Sequence, residues 1–152
     1  MRTVDQPAEI LLVEDSPDDT AFFVHTLGKS GVGARLHVVG DGAEALDFIR
    51  QTGRYVSSPA AVFLRLIVLD LKLPKLDGLQ VLEAVKTDKC IRTIPVVVLS
   101  SSLEARDLAE SYRLGANSYI LKPMDFDQYG ECVRALLRYW LDYNRTPKVL
   151  SQ

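Results

Sequence analysis

The chain has 152 residues, of which 47% are hydrophobic and 25% are charged, and its formal net charge is −2. This length suits one domain that needs no disulfide or metal for its core, and the composition excludes a disordered chain. The charge gives no electrostatic case for binding nucleic acid or a membrane surface. The two cysteines lack CxxC spacing, and the sequence has neither an apolar signal core nor a membrane-spanning run, which predicts a reduced, cytoplasmic protein.

Five short apolar segments predict the strands of a sheet, and a segment with helical periodicity follows each of them. The predicted strands span residues 9–13, 35–39, 66–69, 94–99 and 118–121. The predicted helices span residues 17–27, 42–49, 78–85, 104–114 and 125–143. Strands that are apolar throughout are typical of parallel sheets, which are buried on both faces. The βα order, repeated five times, predicts an α/β fold with a doubly wound five-stranded parallel sheet.

Two predicted helices begin with capping signals, and one connection is unusually long. Ser16 is a candidate N-cap before Pro17, which suits the first helical position. Asp41 is separated from Glu44 by the spacing of a capping box. Residues 52–64 form a longer connection than a βα unit needs, and we interpret them as an insertion.

Polar side chains follow four of the predicted strands, at the edge of the sheet where open α/β folds place their sites. They are Glu14, Asp15, Asp70, Ser100 and Lys122. Three carboxylates repel one another unless a cation lies between them, and Mg²⁺ suits such oxygen ligands. A lysine and a serine hydroxyl beside a metal-bound carboxylate are what a transferred phosphoryl group needs. These residues therefore predict a Mg²⁺ site in which Asp70 is the nucleophile and forms an aspartyl phosphate.

The chain resembles the receiver domain of bacterial two-component response regulators, which has a flavodoxin-like (βα)5 fold. The resemblance covers about residues 8–142. Its motifs are the acidic pair Glu14–Asp15, Asp70 in a D-x-K-L-P-x-x-D-G setting, Ser100 after Val-Val-Val-Leu, and Tyr119 three residues before Lys122-Pro123. The resemblance implies a receiver domain at 8–143 with an extended last helix, between a flexible arm at 1–7 and a tail at 144–152.

The resemblance also implies how the phosphoryl group and the metal are bound. Asp70 would accept the phosphoryl group from a phosphohistidine of a sensor histidine kinase. Asp15, Asp70 and the main-chain carbonyl of Lys72 would bind Mg²⁺ directly, and Glu14 would contact the metal through water. We expect a phosphoacceptor that promotes its own phosphotransfer and dephosphorylation, not a turnover enzyme.

The same family pattern implies a switch. Ser100 would move toward the phosphoryl group, Lys122 would pair with that group, and Tyr119 would swing inward when Ser100 moves. Lys72 and Ser102 stand two residues beyond the acceptor and the switch hydroxyl, at positions that modulate hydrolysis in the family. The sequence therefore leaves the lifetime of the phosphoryl group open.

Features outside the site resemble the single-domain regulators that partner bacterial phytochromes. These features are the insertion, the Ile-Pro-Val-Val-Val-Leu-Ser-Ser-Ser run and the extended last helix. We expect no output domain after the last helix, and therefore expect the signal to leave by protein contact. Surplus apolar surface on that helix predicts a homodimer. The predicted interface residues are Tyr129, Val133, Leu137, Trp140 and Leu141.

Two other interpretations stay open. An aspartate-nucleophile phosphatase or phosphotransferase typically needs a second acid two residues beyond the nucleophile, where Lys72 stands instead. A phosphorylation-independent interaction module would keep the fold without the chemistry.

Overall fold

The computed structural model describes residues 7–147 and confirms a five-stranded parallel sheet. The strands are β1 (Ala8–Val13), β2 (Ala34–Val39), β3 (Leu64–Leu69), β4 (Val96–Ser100) and β5 (Ser118–Leu121). Their order in the sheet is β2-β1-β3-β4-β5, and every neighbouring pair is parallel. This is the flavodoxin-like order, in which the chain changes direction across the sheet between β1 and β3.

Five helices cover the two faces of the sheet. They are α1 (Pro17–Lys29), α2 (Gly42–Arg50), α3 (Gly78–Thr87), α4 (Ala105–Arg113) and α5 (Phe126–Leu137). One core cluster combines residues of α1 and α5 with the sheet, and the other combines residues of α2 and α3 with the opposite face. The predicted last helix has the expected extent, but its final turns, Arg138–Tyr143, are π-helical.

The capping pattern of the helices differs from the predicted one at α2. Asp41 accepts a hydrogen bond from the Glu44 N–H at 2.8 Å, which is half of a capping box. The Glu44 carboxylate instead accepts from the Tyr55 hydroxyl at 2.6 Å. The complete capping box is at α3, where Asp77 accepts from the Gln80 N–H and the Gln80 side chain accepts from the Asp77 N–H. At α2, a contact between Glu44 and the insertion therefore replaces the second hydrogen bond of the predicted capping box.

The predicted insertion folds into two 3₁₀ turns, Gly53–Tyr55 and Ala60–Phe63. Tyr55 packs edge-on against Phe48 of α2, with 5.1 Å between ring centroids. Val56 is exposed. The insertion is therefore fastened to α2 and leads directly into β3.

Four of the five residues predicted for a dimer interface lie in the core of the single chain. Tyr129, Val133, Leu137 and Leu141 are buried with residues of β1, β3, β4 and α1, and Trp140 is partly buried against the same cluster. The reason is that the three-and-four spacing of these residues turns them toward the sheet. A dimer surface on the last helix would have to use exposed side chains such as Tyr139 and Tyr143.

Three further expectations from the sequence concern membrane-spanning helices, the thiols and the chain ends. In the described part of the chain, no helix combines the length and apolar character needed to cross a membrane. Both cysteines, Cys90 and Cys132, are free thiols. Residues 1–6 of the predicted arm and 148–152 of the predicted tail lie outside the described residues.

Candidate functional site

The candidate site lies where β1 and β3 end side by side, at the point where the fold changes direction. The Asp70 N–H donates to the Val13 carbonyl at 3.0 Å, and the Glu14 N–H donates to the Val39 carbonyl at 3.0 Å. These ladder bonds continue past the strand ends and fix the backbone that carries the acids. Open α/β sheets place their ligands at such a switch point.

The structure brings together the three predicted acids. Glu14, Asp15 and Asp70 each offer an oxygen, and these atoms all lie within 4.8 Å of one another. Glu14 is buried, Asp70 is partly buried and Asp15 is exposed. Burial and the hydrogen bond to Asp70 raise the pKa of Glu14 above its usual range, although Lys122 opposes them. A cluster of three carboxylates open to solvent on one side fits a hard divalent cation, which binds oxygen ligands and keeps some of its water.

Lys122 supplies the positive charge of the site. Its N–H donates to the Ser100 carbonyl at 2.8 Å, which places it directly after β5. Its Nζ donates to Glu14 Oε1 at 2.6 Å, to Asp19 Oδ2 at 2.9 Å and to Asp70 Oδ2 at 3.3 Å. Burial lowers the pKa of Lys122, but the hydrogen bonds to Glu14 and Asp19 outweigh it and raise the pKa above its usual range. The ammonium therefore remains charged among the carboxylates.

The two predicted switch residues contact the same residue of the β4–α4 connection. Ser100 ends β4 in a buried position, and its Oγ accepts from the Ser102 N–H at 3.1 Å. The Tyr119 ring packs against the core, and its hydroxyl donates to the Ser102 carbonyl at 3.1 Å. The Ser102 hydroxyl in turn donates to the Asp107 carboxylate of α4. Ser102 thus links Ser100, Tyr119 and α4.

One site residue, Asp19, was missed as a functional residue from the sequence, where it counts only as an acid in the first turn of a helix. The sequence signal that could have identified it is the small number of residues between Asp19 and the end of the first strand. Asp19 stands one turn after Asp15, and side chains of a helix tilt toward its N terminus, which for α1 is the edge carrying the site.

Lys72 follows the acceptor in the connection after β3. Its N–H lies 3.4 Å from Asp70 Oδ1, and its side chain is exposed. The assignment of its carbonyl to the metal stays a prediction.

Comparison with known proteins finds one family model and several relatives that match most of the chain. Residues 10–134 match the family model described as response regulator receiver domain. The chain is 38% identical over 144 residues to the probable methanogenesis regulatory protein FilR2 of Methanothrix harundinacea, covering 94% of this chain and 90% of that one. It is 38% identical over 136 residues to the response regulator Rcp1 of Synechocystis sp., covering 90% of each.

Solved structures give the same assignment. The phosphorylated cyanobacterial phytochrome response regulator RcpA matches with a TM-score of 0.88 and 37% identity, covering 94% of this chain and 100% of that one. The Mn²⁺-bound form of Rcp1 matches with a TM-score of 0.87 and 37% identity, covering 93% of this chain and 99% of that one. A relative of nearly the same length therefore binds a divalent cation.

Proposed function

Because the chain belongs to the response regulator receiver domain family, we propose that it takes a phosphoryl group from a sensor histidine kinase onto Asp70, with Mg²⁺ as its cofactor. The observation that carries this proposal is that Asp70 lies close to Lys122, Glu14 and Asp15 at one edge of the sheet. A carboxylate that receives a phosphoryl group needs nearby cationic charge, because the transferred group carries negative oxygens.

The transfer exchanges one bond to phosphorus for another. The P–N bond of the kinase phosphohistidine breaks as an oxygen of Asp70 forms the new P–O bond, and the imidazole leaves with its electron pair and takes up a proton. Asp15, Asp70 and the Lys72 carbonyl would hold the divalent cation, with Glu14 contacting it through water. That cation would neutralise charge on the phosphoryl oxygens. Lys122 offers its ammonium to another phosphoryl oxygen.

The contacts of Ser102 support a switch of the kind that the family resemblance implies. When the Ser100 hydroxyl turns toward a phosphoryl oxygen, it gives up the bond that it accepts from the Ser102 N–H. Tyr119 is held by the carbonyl of the same residue. A change at Ser100 is thus passed to Tyr119 and, through the Asp107 carboxylate, to α4.

We further propose that the kinase is of the phytochrome type, that the protein works in the cytoplasm, and that it forms a homodimer through the last helix. The similarity to Rcp1 and RcpA over almost the whole chain supports the first of these. Exposed aromatic side chains on the π-helical segment, Tyr139 and Tyr143, support the last.

Replacing the acceptor tests the proposed function. Asp70→Asn is expected to abolish labelling by acetyl phosphate with Mg²⁺, measured as the mass of one added phosphoryl group on the intact protein. The label on the unsubstituted protein is expected to be removed by hydroxylamine, as acyl phosphates are. Asp77→Asn is the matched control, because Asp77 is an exposed carboxylate in the same connection and asparagine keeps its N-cap role.

Two outcomes would contradict the proposal. Undiminished labelling of Asp70→Asn would place the acceptor elsewhere. No labelling of the unsubstituted protein, together with no Mg²⁺-dependent response to beryllofluoride, would favour an interaction module that keeps only the fold.

A further inference from the structure

We propose that Asp19 is a positioning residue that holds the Lys122 ammonium in the resting protein and releases it to the phosphoryl group. This inference rests on the proposed role of Asp70. The Asp19 carboxylate lies 2.9 Å from Lys122 Nζ, closer than the 3.3 Å that separates Nζ from Asp70. Asp19 is therefore a closer partner of the lysine than the acceptor itself.

The hydrogen-bonding capacity of Lys122 is fully used in the resting protein. An ammonium group has three N–H donors, and here one carboxylate accepts each of them: Glu14, Asp19 and Asp70. A phosphoryl oxygen can gain a full hydrogen bond from Lys122 only if one of these carboxylates gives up its own. Phosphoryl binding at this site is thus an exchange of partners.

The burial of the three carboxylates decides which of them is exchanged. The Glu14 side chain is 4% exposed, so losing Lys122 would leave a buried acceptor without its hydrogen-bond donor and out of reach of water. Asp70 carries the phosphoryl group and stays beside the lysine. The Asp19 side chain is 40% exposed, so water can replace the ammonium there at small cost. Asp19 is therefore the partner that Lys122 leaves.

The start of α1 places Asp19 for this task. The Asp19 N–H donates to the N-cap hydroxyl of Ser16 at 3.3 Å, which fixes the residue in the first helical turn. Its side chain tilts back toward the sheet edge, where Lys122 follows β5. Asp18 is also in this first turn but is exposed, so the two neighbours carry the same charge in different surroundings.

Beryllofluoride, a phosphoryl mimic, tests the exchange. At saturating Mg²⁺, Asp19→Asn is expected to bind beryllofluoride about threefold more tightly than the unsubstituted protein in calorimetric titrations, because one competitor for Lys122 is gone. Asp18→Asn is the matched control and is expected to leave the affinity unchanged. Unchanged thermal unfolding of both variants would show that helix α1 is intact.

The NMR signals of the Lys122 side chain supply a second measurement. They are assigned by comparison with the spectrum of Lys122→Arg. Without beryllofluoride, these signals are expected to differ between Asp19→Asn and the unsubstituted protein. With beryllofluoride bound, the signals of the two proteins are expected to coincide, because Asp19 no longer holds the lysine in that state. Equal or weaker binding by Asp19→Asn, an equal gain for Asp18→Asn, or signals that still differ in the bound state would each overturn the inference. If the unsubstituted protein does not bind beryllofluoride, the proposed role of Asp70 fails and the inference fails with it.

Discussion

Gly42 shows how a single residue supports the connection that follows Asp70. A Cβ at this position would lie 1.8 Å from the Leu76 carbonyl oxygen. Lys75, in the same connection, has a left-handed φ of 64° and pairs with Asp41 at 3.4 Å. The connection between β3 and α3 therefore rests on the first residue of α2, and only glycine permits this approach.

We expect Gly42→Ala to lower the free energy of unfolding by about 1–3 kcal/mol, because backbone has to move to admit the methyl group. Urea unfolding followed by circular dichroism measures the change. Gly40→Ala is the control, since no described atom lies within 4 Å of a Cβ built there. Equal losses in the two variants would show that the collision with Leu76 is relieved without cost.

Among the elements, α3 is tied to its neighbours by one lysine. Lys86, in the last turn of α3, donates from Nζ to the carbonyls of Arg92 at 3.1 Å and Ile94 at 2.8 Å. Its stem fills the space beside Gly115, where a Cβ would meet Lys86 Cγ at 3.0 Å. Burial lowers the pKa of Lys86 to about 8. The side chain thus joins α3 to the segments before β4 and before β5.

This lowered pKa predicts how stability depends on pH. An unfolded lysine titrates near 10.4, so between about pH 8 and pH 10.4 the unfolded chain binds more protons at Lys86 than the folded one. Burial of the charged Lys86 therefore opposes folding fully below about pH 8. The contribution of Lys86 to the free energy of unfolding rises with pH between about pH 8 and pH 10.4. Allowing for its partial exposure, we expect a rise of about 1–2 kcal/mol.

The difference in unfolding free energy between the unsubstituted protein and Lys86→Met isolates this contribution, because methionine does not titrate. The difference is expected to shift in favour of the unsubstituted protein from pH 7.5 to pH 10. Lys89→Met, at an exposed lysine nearby, is the control for the loss of an ammonium group from the surface. Parallel stability curves for Lys86→Met and the unsubstituted protein would contradict the prediction.

For the whole molecule, the topology explains which parts the sequence predicts well. Apolar runs such as Leu66–Leu69 locate the strands, and parallel order alone brings the ends of β1, β3, β4 and β5 to one edge, which is why Asp70 and Lys122 were predictable together. The position of Asp19 near this edge could be predicted from the sequence, but its contact with Lys122 could not, because that contact depends on how α1 is placed over the sheet. On the last helix, the apolar pattern did not separate residues that fill the core, such as Val133, from exposed surplus.

The exposed aromatic side chains of the last helix are the basis for predicting a homodimer. Tyr139 and Tyr143 are 52% and 65% exposed on the π-helical segment, whose Leu141 is buried against the sheet. Large exposed aromatic side chains in one segment are typical of an interaction surface. Because Val133 and Leu137 are buried, their replacement would report on folding, so only the exposed residues test association.

We expect the unsubstituted protein to sediment as a dimer at tens of micromolar and the double variant Tyr139→Ser, Tyr143→Ser to sediment as a monomer. The reason is that serine removes the apolar area that association would bury, while the core of α5 stays intact. Val56→Ser, at the exposed insertion on α2, is the control and is expected to remain dimeric. Sedimentation with and without beryllofluoride shows whether the site at Asp70 controls association. A monomer under both conditions for the unsubstituted protein would refute the dimer.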